Sequence, residues 1–134
     1  MFEFSDDNEY LKEQLNGGEG LYCDFKHTIN DASKIAKSIV AFANQKGGSL
    51  FIGVNDKGEI IGCEPKAEYH SLLNVIDNYC KPIIEFTCYS YEEDEKDVLE
   101  IAISEGENKP YAALNKKKQW NIYLRVNDEC KKIG

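Results

Sequence analysis

The stretch from Ile35 to Gly62 constrains the fold more than any other part of the chain. Ile35, Ile39, Phe42 and Ala43 recur three and four residues apart, the stripe of a helix that buries one face, while Lys34 and Lys37 fall off that stripe. Asn30 or Asp31 can cap the start of this helix, and Asn44, Gln45, Lys46, Gly47 and Gly48 stop it. The apolar residues 49–54 then read as a buried strand. Asn55, Asp56, Lys57 and Gly58 supply a turn into residues 59–62, so the sequence predicts a β-hairpin over 49–62.

The flanks extend the pattern. Ser5 as a cap, acidic Asp6 and Asp7, and Leu11 and Leu15 four apart predict a short helix over 5–15, stopped by Asn16, Gly17 and Gly18. Residues 21–26 read as a strand with Asp24 and Lys26 on one face and Cys23 and Phe25 on the other. Tyr69, Leu72, Leu73, Ile76 and Tyr79 form a helical stripe that Pro82 breaks. Residues 84–91 and 98–103 predict a second hairpin around the charged loop 92–97. The tail predicts a strand over 120–126 with Asn121, Tyr123 and Arg125 on one face. The order of elements implies an α+β (mixed α/β) fold: two hairpins plus flanking strands packed with two to three helices, in one domain over 1–134.

Charge excludes several classes of function. Sixteen basic residues against twenty-four acidic ones give a net charge of −8, so bulk attraction to nucleic acid or to an anionic membrane is ruled out and any phosphate contact must be local. No segment has the ~18–20 apolar residues of a membrane span, and the acidic amino terminus does not read as a signal peptide, so the expected location is the cytoplasm. Five scattered cysteines without a C-x-x-C fit reduced thiols, and two histidines, His27 and His70, exclude a histidine-rich metal cage.

Two sets of residues could carry chemistry. Glu19, Asp24 and Asp56, with Lys26 beside Asp24, offer three carboxylates and a cation, the set that metal-assisted hydrolysis of a phosphodiester needs, with Mg or Mn as the ion. From composition alone the same residues better suit a surface ion pair, a loop acid and a turn aspartate. Lys116, Lys117 and Lys118 beside Trp120, Tyr123 and Arg125 combine phosphate-seeking charge with stacking rings, or else form a solvated hairpin tip over core aromatics. Lys34 and Lys37 come next as phosphate contacts. Neither Gly17, Gly18 and Gly20 nor Gly47 and Gly48 stand in a nucleotide-binding order, so no motif supports ATP, and the glycine pair at 47–48 reads as a tight turn.

Asp24-Phe25-Lys26, the run from Ile39 through Gly58 with A-F-A-N-x-x-G-G-x-L-x-I-G-V, and Ile61-Gly62 together resemble the Schlafen AlbA-like domain. Lys109-Pro110-Tyr111 and Tyr123-Leu124-Arg125 match that family's closing strands, so the likeness runs from about Gly17 to Arg125. The resemblance implies a mixed α/β domain used in nucleic-acid transactions, often joined in bacterial regulators to a winged-helix or helicase-like region. It therefore implies a DNA-binding module of a bacterial transcriptional-regulator-like protein. In animal Schlafens a similar domain cleaves structured RNA, between two copies of the domain, with acids at positions that are here Glu19, Asp24 and Asp56. The alternative implied is a divalent-metal-dependent endoribonuclease acting on tRNA-like or rRNA-like substrates, and a homodimer. Asp24 stands where the family more often has Glu, and either Asn55 or Asp56 matches the third acid. A third reading, a protein-interaction domain, fits the acidity.

Overall fold

The computed structural model describes residues 1–133. Its central element is a helix, α2 (Ala32–Ala43), capped by Asp31, whose side chain accepts from the Lys34 N–H. Nine of its twelve residues are buried, many of them small (Ser33, Ala36, Ser38, Ala41, Ala43), because a helix covered on more than one side must let its neighbours approach closely. The single stripe read from Ile35, Ile39 and Phe42 was thus only part of its buried surface. What remains exposed is the side of Lys34, with Lys37 half-buried.

One side of α2 packs on a five-stranded sheet. Its members are β1 (Glu3–Phe4), β2 (Cys23–Lys26), β3 (Gly48–Ile52), β5 (Phe86–Glu93) and β6 (Lys96–Ile103), in the order β1-β5-β6-β3-β2. β2 and β3 are parallel, joined through α2, and the remaining neighbours of β3 and β5 include the antiparallel β6. The other side of α2 meets a four-stranded antiparallel sheet in the order β4-β7-β8-β9. It is formed by β4 (Cys80–Lys81), β7 (Ala112–Leu114), β8 (Trp120–Val126) and β9 (Glu129–Ile133). Helix α3 (Pro65–Tyr79) lies beside α2, and α1 (Asn8–Gly17) covers the far face of the larger sheet. Two apolar clusters result, a large one around α2 and a smaller one of Leu11, Leu15, Phe25, Phe51 and Val98 under α1. The architecture is α+β, as the sequence predicts.

Several elements differ from the sequence reading, each for a local reason. The expected hairpin over 49–62 does not form. β3 already has β2 on one edge and β6 on the other, so residues 59–62 form no strand of the sheet and return only through the Val54–Ile60 bridge and a few backbone bonds, Asn55 N–H to the Glu59 carbonyl and the Ile61 and Gly62 N–H groups to the Gly53 carbonyl. The turn survives, held by Asn55 Oδ1 accepting from the N–H groups of Lys57 and Glu59. The second hairpin runs further than expected. Glu92 pairs with Asp97 and Glu93 with Lys96, which leaves Asp94 and Glu95, both at positive φ, as a two-residue turn. Helix α1 starts two to three residues late because Ser5 donates its N–H to Ser90 beside β1, and Asp7 takes over as the cap. β1, β4 and β9 have no counterpart in the sequence reading.

The Asn44-Gln45-Lys46-Gly47-Gly48 run shows why a helix stop can be specific. The Asn44 amide accepts from Tyr111 N–H (2.6 Å) and donates to the carbonyls of Tyr111 and Tyr123 (2.9 and 3.0 Å). Gln45 accepts from Arg125 N–H (2.6 Å) and donates to the Arg125 carbonyl (3.1 Å). Two side chains at the end of α2 therefore act as a strand edge for the smaller sheet. Gly48 is required by packing, since a Cβ there would lie 2.5 Å from the Phe42 ring. Asn44→Ala removes three hydrogen bonds and strands half-buried backbone groups, and it should cost about 2–4 kcal/mol in urea unfolding. An Asn44→Ala chain as stable as wild type would remove this account of how the sheet docks.

Candidate functional site

Asp24 lies on β2 facing α2, as the alternation of Cys23, Asp24, Phe25 and Lys26 requires, and it is 1 % exposed. Both its oxygens are engaged. Oδ2 accepts from Ser38 Oγ of α2 (3.0 Å) and lies 2.9 Å from Lys26 Nζ. Oδ1 lies 3.2 Å from Nη2 of Arg125, which reaches in from β8 in the other sheet. Arg125 is itself 3 % exposed. Its guanidinium also donates to the carbonyls of Gly20 (2.8 Å) and Cys23 (3.1 Å), lies 3.5 Å from Cys130 Sγ, and packs over the Phe42 ring. The alternation that places Arg125 with Tyr123 is correct, but that face turns inward. Arg125 is therefore not available to a phosphate, which corrects its place among the expected nucleic-acid contacts.

Glu19 completes the cluster from the loop after α1. Burial first, then the Asp24 carboxylate beside it, raise its carboxyl from the ordinary 4.5 to about 7. For Asp24, burial works against the charge, yet Glu19, Lys26 and Arg125 outweigh it and hold the carboxyl below its ordinary value. The surroundings thus favour the protonated form of Glu19 and the charged form of Asp24.

Glu19, Asp24 and Lys26 come together; Asp56 does not join them. It follows β3 in the turn and lines an adjoining cavity of about 200 Å³ with Lys26, His27 and Asp31. Among the described residues no three His, Cys, Asp or Glu side chains are gathered to hold a metal ion. A divalent cation at Asp24 would also meet two ammonium or guanidinium groups within 3.2 Å of its oxygens. Glu19, Asp24 and Asp56 therefore do not fit a shared Mg or Mn ion, and no step is derived through one.

The basic residues form the second feature. A groove of about 560 Å³ runs between the start of α2 and the inner edge of the smaller sheet. Lys34 and Lys37 enter it from α2, Lys116 and Lys117 from the β7–β8 turn, and Lys132 from β9, against one carboxylate, Asp31. Lys116 is partnered by that Asp31 at 3.2 Å, and Lys37 stands 5.4 Å from the Tyr123 ring centroid. Lys118 sits exposed at the turn with φ of 64° and does not line the groove. Asp31 and Lys34 also line the cavity of Lys26 and Asp56, so groove and cavity are contiguous. The sequence reading missed Lys132. Its signal was the register of a β9 strand that composition did not reveal, with Lys132 opposite Tyr123.

A two-sheet α+β domain with a lysine-lined groove beside a buried acid–arginine clasp is the class that fold and site define. Residues 19–134 match the family model described as Schlafen, AlbA_2, and the chain belongs to that family. Two solved structures share the fold. The N-terminal domain of a Nitrosomonas europaea protein named as related to the ATP-dependent DNA helicase RecG aligns at a TM-score of 0.65 and 20 % identity, covering 84 % of this chain and 82 % of that one. The DIP2311 protein of Corynebacterium diphtheriae aligns at 0.58 and 18 %, covering 94 % of this chain but 31 % of its own length. At these identities the likeness is one of fold.

Two outcomes are expected of the clasp. Asp24→Asn should cost about 3 kcal/mol, because it leaves a buried guanidinium unpaired, while Asp24→Asn combined with Arg125→Met should lose less than the two single variants summed. Additive losses in that cycle would mean that the two residues do not interact. For Glu19, the folded state holds a proton that the unfolded chain releases above about 4.5, so its contribution is complete below that pH and is lost as pH rises through about 7. The melting temperature of wild type should therefore fall from pH 5.5 to pH 8 by more than that of Glu19→Gln. Parallel pH profiles for the two chains would contradict a raised Glu19 carboxyl.

Proposed function

We propose that this domain is a nucleic-acid-binding module, with DNA as its first target, in a bacterial transcriptional-regulator-like protein of the cytoplasm. The observation that carries the reading is the groove: five lysines gathered around one aspartate in a chain of net charge −8. A concave strip of ammonium groups with Asn121 among its lining residues suits a phosphate backbone, which takes its affinity from charge and its position from hydrogen bonds. Membership of the Schlafen AlbA_2 family and the likeness to the RecG-related domain support a nucleic-acid association. The endoribonuclease alternative needs a cation that Glu19, Asp24 and Asp56 do not fit, so binding is the better supported of the two.

Lys34, Lys37, Lys117 and Lys132 are the groove cations without a carboxylate partner among the described salt bridges, and the first, second and fourth come from the helix and strand rather than from the turn. Fluorescence anisotropy with a labelled DNA duplex and a labelled RNA strand should give log–log salt slopes near −3 to −4 for wild type, at roughly 0.7–0.9 per neutralised phosphate. Lys34→Ala, Lys37→Ala and Lys132→Ala combined should flatten the slope by about 2 and weaken all sequences alike. Binding that keeps its affinity and slope in this triple variant would place the contact surface elsewhere, and the absence of binding by wild type at low salt would end the proposal.

A further inference from the structure

The β7–β8 turn divides its lysines between two sides of the smaller sheet. Asn115 holds the turn: its Oδ1 accepts from the N–H groups of Lys117 and Gln119 (2.9 Å each), and its carbonyl accepts from Lys118 N–H (3.0 Å). A turn bonded in this way fixes where its backbone presents successive side chains. Lys116 and Lys117 go to the groove, whereas Lys118, exposed at positive φ, stands outside it. Beyond Lys118 lies Trp120, the single tryptophan of the chain. Alternation along β8 sends Asn121 and Tyr123 to the groove and Trp120 to the opposite face.

Of the two rings expected to stack, Tyr123 is buried and Trp120 is 39 % exposed. Lys81 of β4 holds its ammonium 4.1 Å from the Trp120 ring centroid, a neighbour that only the tertiary structure supplies. Neither Lys81 nor Lys118 has a carboxylate partner among the described salt bridges. The acids Asp128 and Glu129 lie beyond Val126 at the far end of β8, about 20 Å from Trp120. An open ring between two free cations suits a nucleotide, whose base offers a face to the ring and whose phosphate takes an ammonium. A cation over an exposed ring is held less firmly than a base stacked on one, so a base displaces Lys81 and frees its charge for the phosphate.

The groove and the ring lie on opposite sides of one turn, and that decides between forms of nucleic acid. A duplex keeps its bases inside and, with a persistence length of ~50 nm, does not fold around a β-turn. A single strand bends freely and carries bases that are open to stacking. We propose that the groove takes a single strand, which passes over the β7–β8 turn and lays one base on Trp120, with Lys81 and Lys118 on the adjoining phosphates. This rests on the groove as a nucleic-acid site and narrows its ligand to single-stranded DNA or RNA.

Because Trp120 is the only tryptophan, its own fluorescence reads the contact. Titration with an oligothymidylate and an oligouridylate of about 12 nucleotides should quench it, the tighter of the two naming the sugar, and a duplex of equal length should leave it unchanged. By anisotropy, Trp120→Leu should weaken single strands about tenfold with the salt slope unchanged, and Trp120→Phe should recover most of that loss. Any duplex affinity should be the same in all three chains, which shows the groove intact. Lys81→Ala with Lys118→Ala should instead flatten the single-strand slope by about 1.4. Quenching by the duplex as strong as by single strands, fluorescence unchanged at saturation with a single strand, or single-strand affinity that Trp120→Leu leaves intact would each overturn the proposal while leaving the role of Lys34, Lys37 and Lys132 standing. A wild type that binds no nucleic acid would end the groove reading and this one with it.

Discussion

The ion pair between Asp24 and Arg125 ties together parts of the molecule that share no backbone pairing. Asp24 belongs to the larger sheet and Arg125 to the smaller, and α2 lies between the two sheets. Burying two charges costs several kcal/mol per ion unless geometry and further hydrogen bonds offset it. Here Ser38, Lys26 and the carbonyls of Gly20 and Cys23 supply those bonds, and among the described residues no buried side-chain polar atom lacks a partner. A pair of this kind adds little stability over an apolar replacement, but it specifies one arrangement. Only when β8 lies at the right height along α2 does the Arg125 guanidinium reach both Asp24 and the Gly20 carbonyl.

The same arrangement sets the position of the lysines. Gln45 grips the backbone of Arg125 while the Arg125 side chain grips Asp24, so β8 is fixed from two directions. Tyr123, two residues before Arg125, then falls beneath Lys37, and Lys132 of β9 falls opposite Tyr123. The start of α2 is fixed separately, where Glu68 of α3 accepts from Thr28 and from the Ile29 N–H. The groove is therefore assembled from three elements whose spacing depends on contacts outside it. Internal acids anchor the frame, and external lysines use it.

What the sequence disclosed and what it hid follow from the range of the interactions. Periodicity located α2 and α3, and alternation put Asp24 and Lys26 on one face, because those patterns arise within a few residues of each other. The hairpin over 49–62 misled because the partners of β3, namely residues 23–26 and 96–103, are remote in sequence and outcompete the local pairing. Arg125 misled in a different way. A single arginine on an alternating strand reads as a surface cation, and only the partner Asp24, about a hundred residues earlier, reveals that it is buried. Asp56 reads as a third carboxylate beside Glu19 and Asp24 from residue type and from the family likeness alike, whereas its place in the turn after β3 puts it on a neighbouring cavity with Lys26. The lysine cluster was half legible: Lys116 and Lys117 stood out as a run, and Lys34 and Lys37 as residues off a stripe. Their meeting across α2 is tertiary.

The layered arrangement also reconciles an acidic protein with a basic groove. Asp6 and Asp7 just before the first helix, Glu9 and Glu13 within it, and the acids at the β5–β6 turn are exposed on or around the larger sheet, while the groove lies on the opposite side of α2. Each packed layer adds roughly 10 Å, so α1 stands two layers or more from the groove lysines. The Debye length is ~8 Å at physiological ionic strength and ~30 Å at 0.01 M. A phosphate docked among Lys34, Lys37 and Lys132 at physiological salt is therefore shielded from the distant acids but not from the lysines it touches. At low salt the acid body reaches an approaching polyanion before the groove does. Net charge governs the approach and local charge the bound state, so salt that weakens the complex also eases the encounter that forms it.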